Sequence, residues 1–339
     1  MCGIAGFYQS DQNYLSAGYH GTSPENPWRK RLIAMRQSLR SRGPNDENTL
    51  LFHHAGLAHT RLAIRDILGG KQPMSAQYRG RGASIVYNGE IYNTCELREE
   101  LKPFGMSWST TGDTEVILNG FLAMGTSFFE KLNGIFAFAI YVHQTKELYL
   151  VRDSLGVKPL FYSFDHTAVV FGSEPKALFA YGIHPAADRA CWNEIFSLGP
   201  ARTLGNGGFA GIHELLPGEY MHISASGCRH HFFRKLEAVP HHDSYTDTIR
   251  HVRFLLCDSI HRQMVSDIPI CSFLSGGLDS SLVTAICQMY LKKEDAALDT
   301  FSFDFKGNDV NFQANSFQSS QDRPFAELVA KHLRPHHTL

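Results

Sequence analysis

The chain has 339 residues, 43% of them hydrophobic and 19% charged, with a formal net charge of −1. That length suggests about two domains, and so even a charge balance gives no reason to expect nucleic acid or an anionic membrane as partner. No apolar run approaches the ~20 residues that span a bilayer, and the start lacks a basic stretch followed by an apolar core, so no secretory signal is expected.

In chain order, residues 1–8 read as a short apolar strand. Residues 12–27 are polar and rich in Gly, Pro and Ser, which predicts a loop. Residues 28–42 place Leu32, Ile33, Met35 and Leu39 at helical spacing. Runs with strand character follow at 49–52, 56–64, 83–87, 135–142, 147–152, 159–163 and 168–172, with helical spacing at 96–101 and 114–124 between them. Many strands with few helices predict antiparallel sheets packed face to face with helices outside, as far as about residue 190. Residues 190–235 give weaker signals. Gly205-Asn206-Gly207-Gly208-Phe209-Ala210 has the letters of a dinucleotide fingerprint, but neither the strand before it nor the helix after it that the fingerprint requires. From residue 245 the pattern changes. Helical spacing over 246–264, 280–291 and 323–333 alternates with apolar strands at 268–274 and 300–305, which predicts a parallel sheet. Residues 306–322, rich in Asn, Gln and Ser, read as a flexible loop.

The seven cysteines are odd in number and irregularly spaced, and no C-x-x-C pair occurs. This argues against a disulfide framework or a zinc site and fits a reducing cytosol. The six internal ones are expected to be small buried side chains. Eighteen histidines include four adjacent pairs, but neighbours on a strand point to opposite faces and chelate poorly. No metal site is expected from protein side chains.

Residue 2 carries the strongest hint at the N-terminus. If Met1 is removed, Cys2 bears both a thiol and a free α-amine, whose pKa is roughly 7.7–8. Such an amine can take the proton of the thiol on its own residue, so no separate catalytic histidine is needed. Four polar motifs accompany it: Ser41-Arg42-Gly43-Pro44-Asn45-Asp46, His59-Thr60-Arg61, Asn88-Gly89-Glu90-Ile91-Tyr92-Asn93 and Thr111-Gly112-Asp113-Thr114-Glu115. Taken singly, Asn88-Gly89 is a turn, Arg61 a surface or paired arginine, and Asp113 a helix cap. In the second region, Leu274-Ser275-Gly276-Gly277-Leu278-Asp279-Ser280-Ser281 joins a strand to a helix. Its glycines allow close backbone approach, and its hydroxyls and helix N-terminus suit phosphate or pyrophosphate. The spacing is not that of a Walker A loop; a plain Gly-Gly turn capped by Asp and Ser is the alternative.

Together these motifs resemble the glutamine-hydrolysing asparagine synthetases. The first part is similar to a class II glutamine amidotransferase through Met1-Cys2-Gly3-Ile4, Arg42-Gly43-Pro44, Asn88 to Asn93 and Arg152-Asp153-Ser154-Leu155-Gly156-Val157-Lys158-Pro159-Leu160. The second resembles an ATP-pyrophosphatase synthetase domain through Ser275 to Ser281. The resemblance implies an α+β N-terminal-nucleophile domain of four layers (αββα) over residues 1–225, a linker over 226–247, and the start of an α/β parallel-sheet ATP-pyrophosphatase domain over 248–339. It implies Cys2 as nucleophile and Asn88 with the Gly89 N–H as oxyanion hole. Arg61 would bind the glutamine α-carboxylate, and Asp113 with Glu90 its α-ammonium. Leu274, Ser275, Gly276, Gly277, Asp279, Ser280, Ser281 and Phe303 would bind ATP, with Mg²⁺. Glutamine, aspartate and ATP are the implied substrates: ammonia freed from glutamine would cross to the second site and displace AMP from β-aspartyl-AMP. A cytoplasmic enzyme is expected, with a homodimer as its assembly.

The chain departs from the pattern in two places. Asn45 stands where the family often has Asp. The sequence also reaches Leu339 without an S-G-E-G type loop, so it reads as a fragment of a longer protein, competent at most for glutamine hydrolysis. Two further readings stay open: a related amide-forming ligase of the β-lactam synthetase or lasso-peptide cyclase type, and a glutaminase-only or non-catalytic fragment. Phosphoribosyl and hexosamine amidotransferases share the first half, but not Ser275 to Ser281.

Overall fold

The computed structural model describes residues 1–15, 21–165, 168–199, 201–316 and 319–339, so parts of the loops expected at 12–27 and 306–322 lie outside the described residues. The chain divides into two compact units, Met1–Ala238 and Val239–Leu339.

In chain order the first unit comprises β1 (Gly3–Gln9), α1 (Pro27–Ser38), β2 (Asp46–Leu51), β3 (Ala55–Arg61), β4 (Met74–Tyr78), β5 (Arg81–Ile91), α2 (Thr94–Leu101), α3 (Asp113–Met124), β6 (Gly134–Val142), β7 (Glu147–Arg152), β8 (Phe161–Asp165), β9 (Ala168–Gly172), α4 (Pro175–Tyr181), α5 (Arg189–Leu198), β10 (His213–Glu214), β11 (Glu219–Ser224) and β12 (Gly227–Phe232). They form two six-stranded antiparallel sheets, ordered β10-β8-β9-β1-β3-β2 and β12-β11-β7-β6-β5-β4. The period-two alternation of a strand assigns each side chain to a layer. Along β5, Ile85 and Tyr87 face the cluster built with α2 and α3, while Val86 faces the other sheet. Along β1, Ile4 and Tyr8 point between the sheets, and Ala5 and Phe7 pack under α1 and α4. Helix, sheet, sheet, helix: the first unit is an αββα sandwich. α1 starts where the Asn26 side chain accepts hydrogen bonds from the N–H groups of Trp28 and Arg29, with Pro27 just inside.

The second unit comprises α6 (Tyr245–Arg262), β13 (Cys271–Phe273), α7 (Leu278–Leu291), β14 (Asp299–Phe301), α8 (Asn308–Asn311), α9 (Arg323–Leu333) and β15 (His336–Thr338). Its three strands pair in parallel in the order β13-β14-β15, as alternating strands and helices require.

Two expectations need correction, and one stretch with weak sequence signals gains its elements. The stretch assigned to a linker begins inside the sandwich, because Gly227–Phe232 pairs along all of β11; the units part after Ala238. Residues 190–235 hold α5 and three strands. Of the six internal cysteines only Cys191 and Cys287 are buried. Cys95 sits in the first turn of α2 and Cys271 on an outer strand, and both are exposed.

Candidate active site

The N-terminus is held by the sandwich itself. Gly3 pairs with Thr60 of β3, and a Cβ at Gly3 would sit 2.6 Å from the Thr60 hydroxyl. Arg42 donates from Nε to the Cys2 carbonyl (2.8 Å) and from Nη1 to Glu174 (2.9 Å). Gly43 presses so close to Thr60 and Arg61 that any Cβ there would meet backbone at 2.4 Å, so the Arg42-Gly43-Pro44 motif is a brace for residue 2. The Cys2 thiol rests against Leu62: Sγ accepts from its N–H (3.4 Å) and faces its carbonyl (3.7 Å).

One pocket is lined by Cys2, Arg61, Gly89, Glu90 and Asp113, together with Arg65, Gln72 and Tyr87. Five residues spread over 112 positions thus converge, because the ends of β1, β3 and β5 and the start of α3 meet on one rim. Asn88 is 1% exposed, and its Nδ2 has no hydrogen-bond partner among the described residues. A buried amide donor without an acceptor is uncommon. Gly89 follows it in β5, where a Cβ would be 2.3 Å from the Ile135 carbonyl.

Arg61 spends donors on a turn: Nη1 on the Ile67 carbonyl (2.9 Å), Nη2 on those of Arg65 (3.2 Å) and Asp66 (2.5 Å). Asp113 opens α3, and its Oδ2 accepts from the Tyr87 hydroxyl (2.7 Å) and the Ile91 N–H (3.0 Å). Arg65, absent from the sequence expectation, lies 3.9 Å from both Glu90 and Asp113. Behind the pocket, buried His59 donates from Nε2 to the Tyr87 carbonyl (3.2 Å), and burial brings its pKa down to about 3. Gln72 accepts from the Tyr87 N–H at 2.6 Å. The residue before Asn88 is thereby fixed at both main-chain groups.

Electrostatically, burial pushes the Cys2 thiol up, opposed by its Leu62 contact, the neighbouring amino terminus and Arg61. Burial pushes the Met1 amine down; Arg42 and Lys158 act in the same direction, while Cys2 opposes them. The Arg152-to-Leu160 motif is a tight loop around Asp153, whose carboxylate accepts from the N–H groups of Phe136, Leu155, Val157 and Lys158.

In the second unit the Ser275-to-Ser281 loop caps α7. Ser275 and Ser280 hydroxyls bond each other at 2.9 Å. Gly276 has φ +83°, and a Cβ there would sit 2.4 Å from the Ala326 nitrogen. The Ser281 Oγ is buried without a partner among the described residues, and Asp279 lies in the first turn of α7. Leu274, Ser275 and Phe303 line one cavity with Asp304, Asp322 and Arg323. Phe303 is 80% exposed, so it forms an edge of this cavity. Gly276, Gly277, Asp279, Ser280 and Ser281 belong to the adjoining loop and do not line it.

An αββα sandwich that presents a cysteine beside a polar pocket at the start of its inner strand defines the N-terminal-nucleophile class of amidotransferases. The chain belongs to the glutamine amidotransferase domain family, whose profile matches residues 1–234. The asparagine synthase family profile matches residues 251–339. The chain is 41% identical, over 98% of its length, to asparagine synthetase [glutamine-hydrolyzing] 3 of Bacillus subtilis, covering 52% of that protein. It is 34% identical, over 77% of its length, to asparagine synthetase B [glutamine-hydrolyzing] of Escherichia coli, covering 42% of it. The chain thus spans about half the length of the curated relatives it matches. Among solved structures, glutamine phosphoribosylpyrophosphate amidotransferase from B. subtilis aligns over 100% of this chain and 65% of that one, at 15% identity and a TM-score of 0.48.

Proposed function

We propose that the first unit hydrolyses glutamine at Cys2 and that its ammonia serves ATP-dependent synthesis of asparagine from aspartate. The observation that carries the first step is the convergence of the Cys2 thiol with Arg61, Glu90 and Asp113 in one pocket, with Asn88, whose Nδ2 has no partner among the described residues, next to the pocket's Gly89 in β5. With Met1 removed, the Cys2 amine takes the thiol proton and Sγ adds to the side-chain carbonyl of glutamine. The resulting oxyanion receives hydrogen bonds from Asn88 Nδ2 and the Gly89 N–H, a donor pair worth about 3–4 kcal/mol per donor in comparable sites. The C–N bond then breaks, the amine returns its proton to the leaving nitrogen, and ammonia and a thioester form. Water hydrolyses the thioester to glutamate. Arg61, and Arg65 beside it, supply cations for the substrate α-carboxylate; Glu90 and Asp113 supply anions for its ammonium.

In the second unit, the Ser275-to-Ser281 loop with its α7 N-terminus is read as the pyrophosphate cradle, and the cavity of Leu274 and Phe303 as the adenosine side. No group of three or more His, Cys, Asp or Glu gathers to hold a metal among the described residues. Mg²⁺ would accompany the phosphates of ATP, as it commonly does, and Asp279 is the carboxylate the loop itself would contribute. Aspartate activated as its β-adenylate loses AMP to ammonia, giving the amide. The expected linker and domain boundaries are proposed in revised form, with the amidotransferase ending near Ala238.

The test is covalent labelling. A diazo-ketone analogue of glutamine should alkylate Cys2 alone, and intact mass should show Met1 absent from active protein. Label on another side chain, or glutamate release by Cys2→Ala at the rate of the unsubstituted protein, overturns the reading.

A further inference from the structure

Lys158 is a buried cation with an unusual partner. Its residue is 7% exposed, and no carboxylate lies within ion-pair distance of it among the described residues. Its Nζ instead donates to the Met1 thioether at 2.9 Å, and thioether sulfur is a weak acceptor. The backbone gives this side chain little freedom: the Lys158 N–H is held by Asp153 (2.9 Å) and its carbonyl by Arg152 Nε (2.9 Å). A buried ammonium costs free energy unless something offsets it, and here the nearest hydrogen-bond partner is the residue that leaves when Cys2 becomes N-terminal.

We propose that Lys158 is a positioning residue for glutamine hydrolysis: once Met1 is gone, its ammonium keeps the Cys2 α-amine unprotonated and able to accept the thiol proton. This rests on the reading of Cys2 as nucleophile. Two positive groups close together disfavour each other's charge. The amine is the one that can yield, since Lys158 starts from a much higher ordinary value even though burial lowers it. The same influence already acts on the Met1 amine, which burial lowers first and Arg42 and Lys158 lower further. The groups facing Lys158 come from several elements: Cys2 ahead of β1, Arg42 after α1, Glu90 in β5 and Asp153 in its own loop. Burial lowers the lysine's pKa first; Glu90, Asp153 and Cys2 favour its charge and Arg42 opposes it.

The experiment is a pH profile of glutamate release for the processed protein and for Lys158→Met, Lys158→Gln and Lys158→Arg. Without the cation the amine binds its proton more tightly, so the acid limb should move to higher pH by about one unit in Lys158→Met and Lys158→Gln. The rates should converge on the unsubstituted protein at alkaline pH, and Lys158→Arg should keep the original limb. A uniform loss at every pH, or an unmoved limb in both neutral variants, overturns the proposal while the Cys2 reading stands. Activity surviving in Cys2→Ala removes that reading instead. Should Lys158→Met fail to fold, Lys158→Gln against Lys158→Arg decides alone.

Discussion

Asn88 shows how one side chain can be structurally idle and chemically poised. Its buried Nδ2 has no acceptor among the described residues, so removing it takes away no hydrogen bond seen there. Leaving a donor unpaired is a cost that the native state already bears. Asn88→Ala should therefore leave stability within about 1 kcal/mol, yet cut kcat for glutamine hydrolysis by about 10²–10³-fold with little change in KM. Thermal unfolding alongside steady-state kinetics checks both halves. A large loss of stability with a matching loss of activity would instead make Asn88 a packing residue. Arg61 is the contrasting case. The sequence marks it for a carboxylate, yet three of its donors hold the 65–67 turn. The sequence also hides Arg65, Gln72 and Lys158. The first two sit in no motif, and Lys158 lies inside one without any neighbour in sequence to reveal what it touches.

Among the elements, the entry to α3 sets the pocket's far wall, since Gly112, Asp113 and Thr114 line it. Glu115 anchors that entry. Its carboxylate accepts from the N–H and hydroxyl of Ser109 (2.8 and 2.7 Å) and of Thr110 (both 2.8 Å). Burial alone would raise its pKa; the four hydrogen bonds outweigh that and hold it below the ordinary value. A carboxyl depressed in the folded state stabilises fully above its unfolded value and stops doing so as pH falls through the folded one. Glu115→Ala should cost about 1–3 kcal/mol at neutral pH, raise the glutamine KM, and lessen the loss of stability on acidification below pH ~4. Denaturant melts at neutral and acid pH measure this. The element itself was legible: 114–124 carries helical spacing, and a Gly-Asp-Thr-Glu run is a natural helix start. β4, α4, β11 and β12 were not. β4 exposes Ser75 and Gln77 at alternate positions, whereas β12 exposes Arg229 to Phe232 in a row, so their identity as strands depends on pairing with β5 and β11 rather than on local periodicity.

For the molecule as a whole, the division into an antiparallel sandwich and a parallel three-stranded unit could be read from the switch in pattern near residue 245. The boundary could not, because the β11–β12 hairpin completes the sandwich from a stretch whose composition resembles a linker. Most pocket residues were legible through motifs, whereas their convergence required knowing which strand ends share a rim. The position of β1 has a practical consequence. It lies between β9 and β3 within its sheet, so the chain's first residues cannot be displaced without unzipping a ladder on both sides. An affinity tag fused ahead of Met1 would leave Cys2 amide-linked and crowd the pocket mouth. Such a fusion should fold yet release no glutamate until a protease cuts immediately before Cys2, whereas a tag at the opposite terminus should be silent. Comparing the two preparations by melting temperature and glutamate release would expose the difference in a single purification.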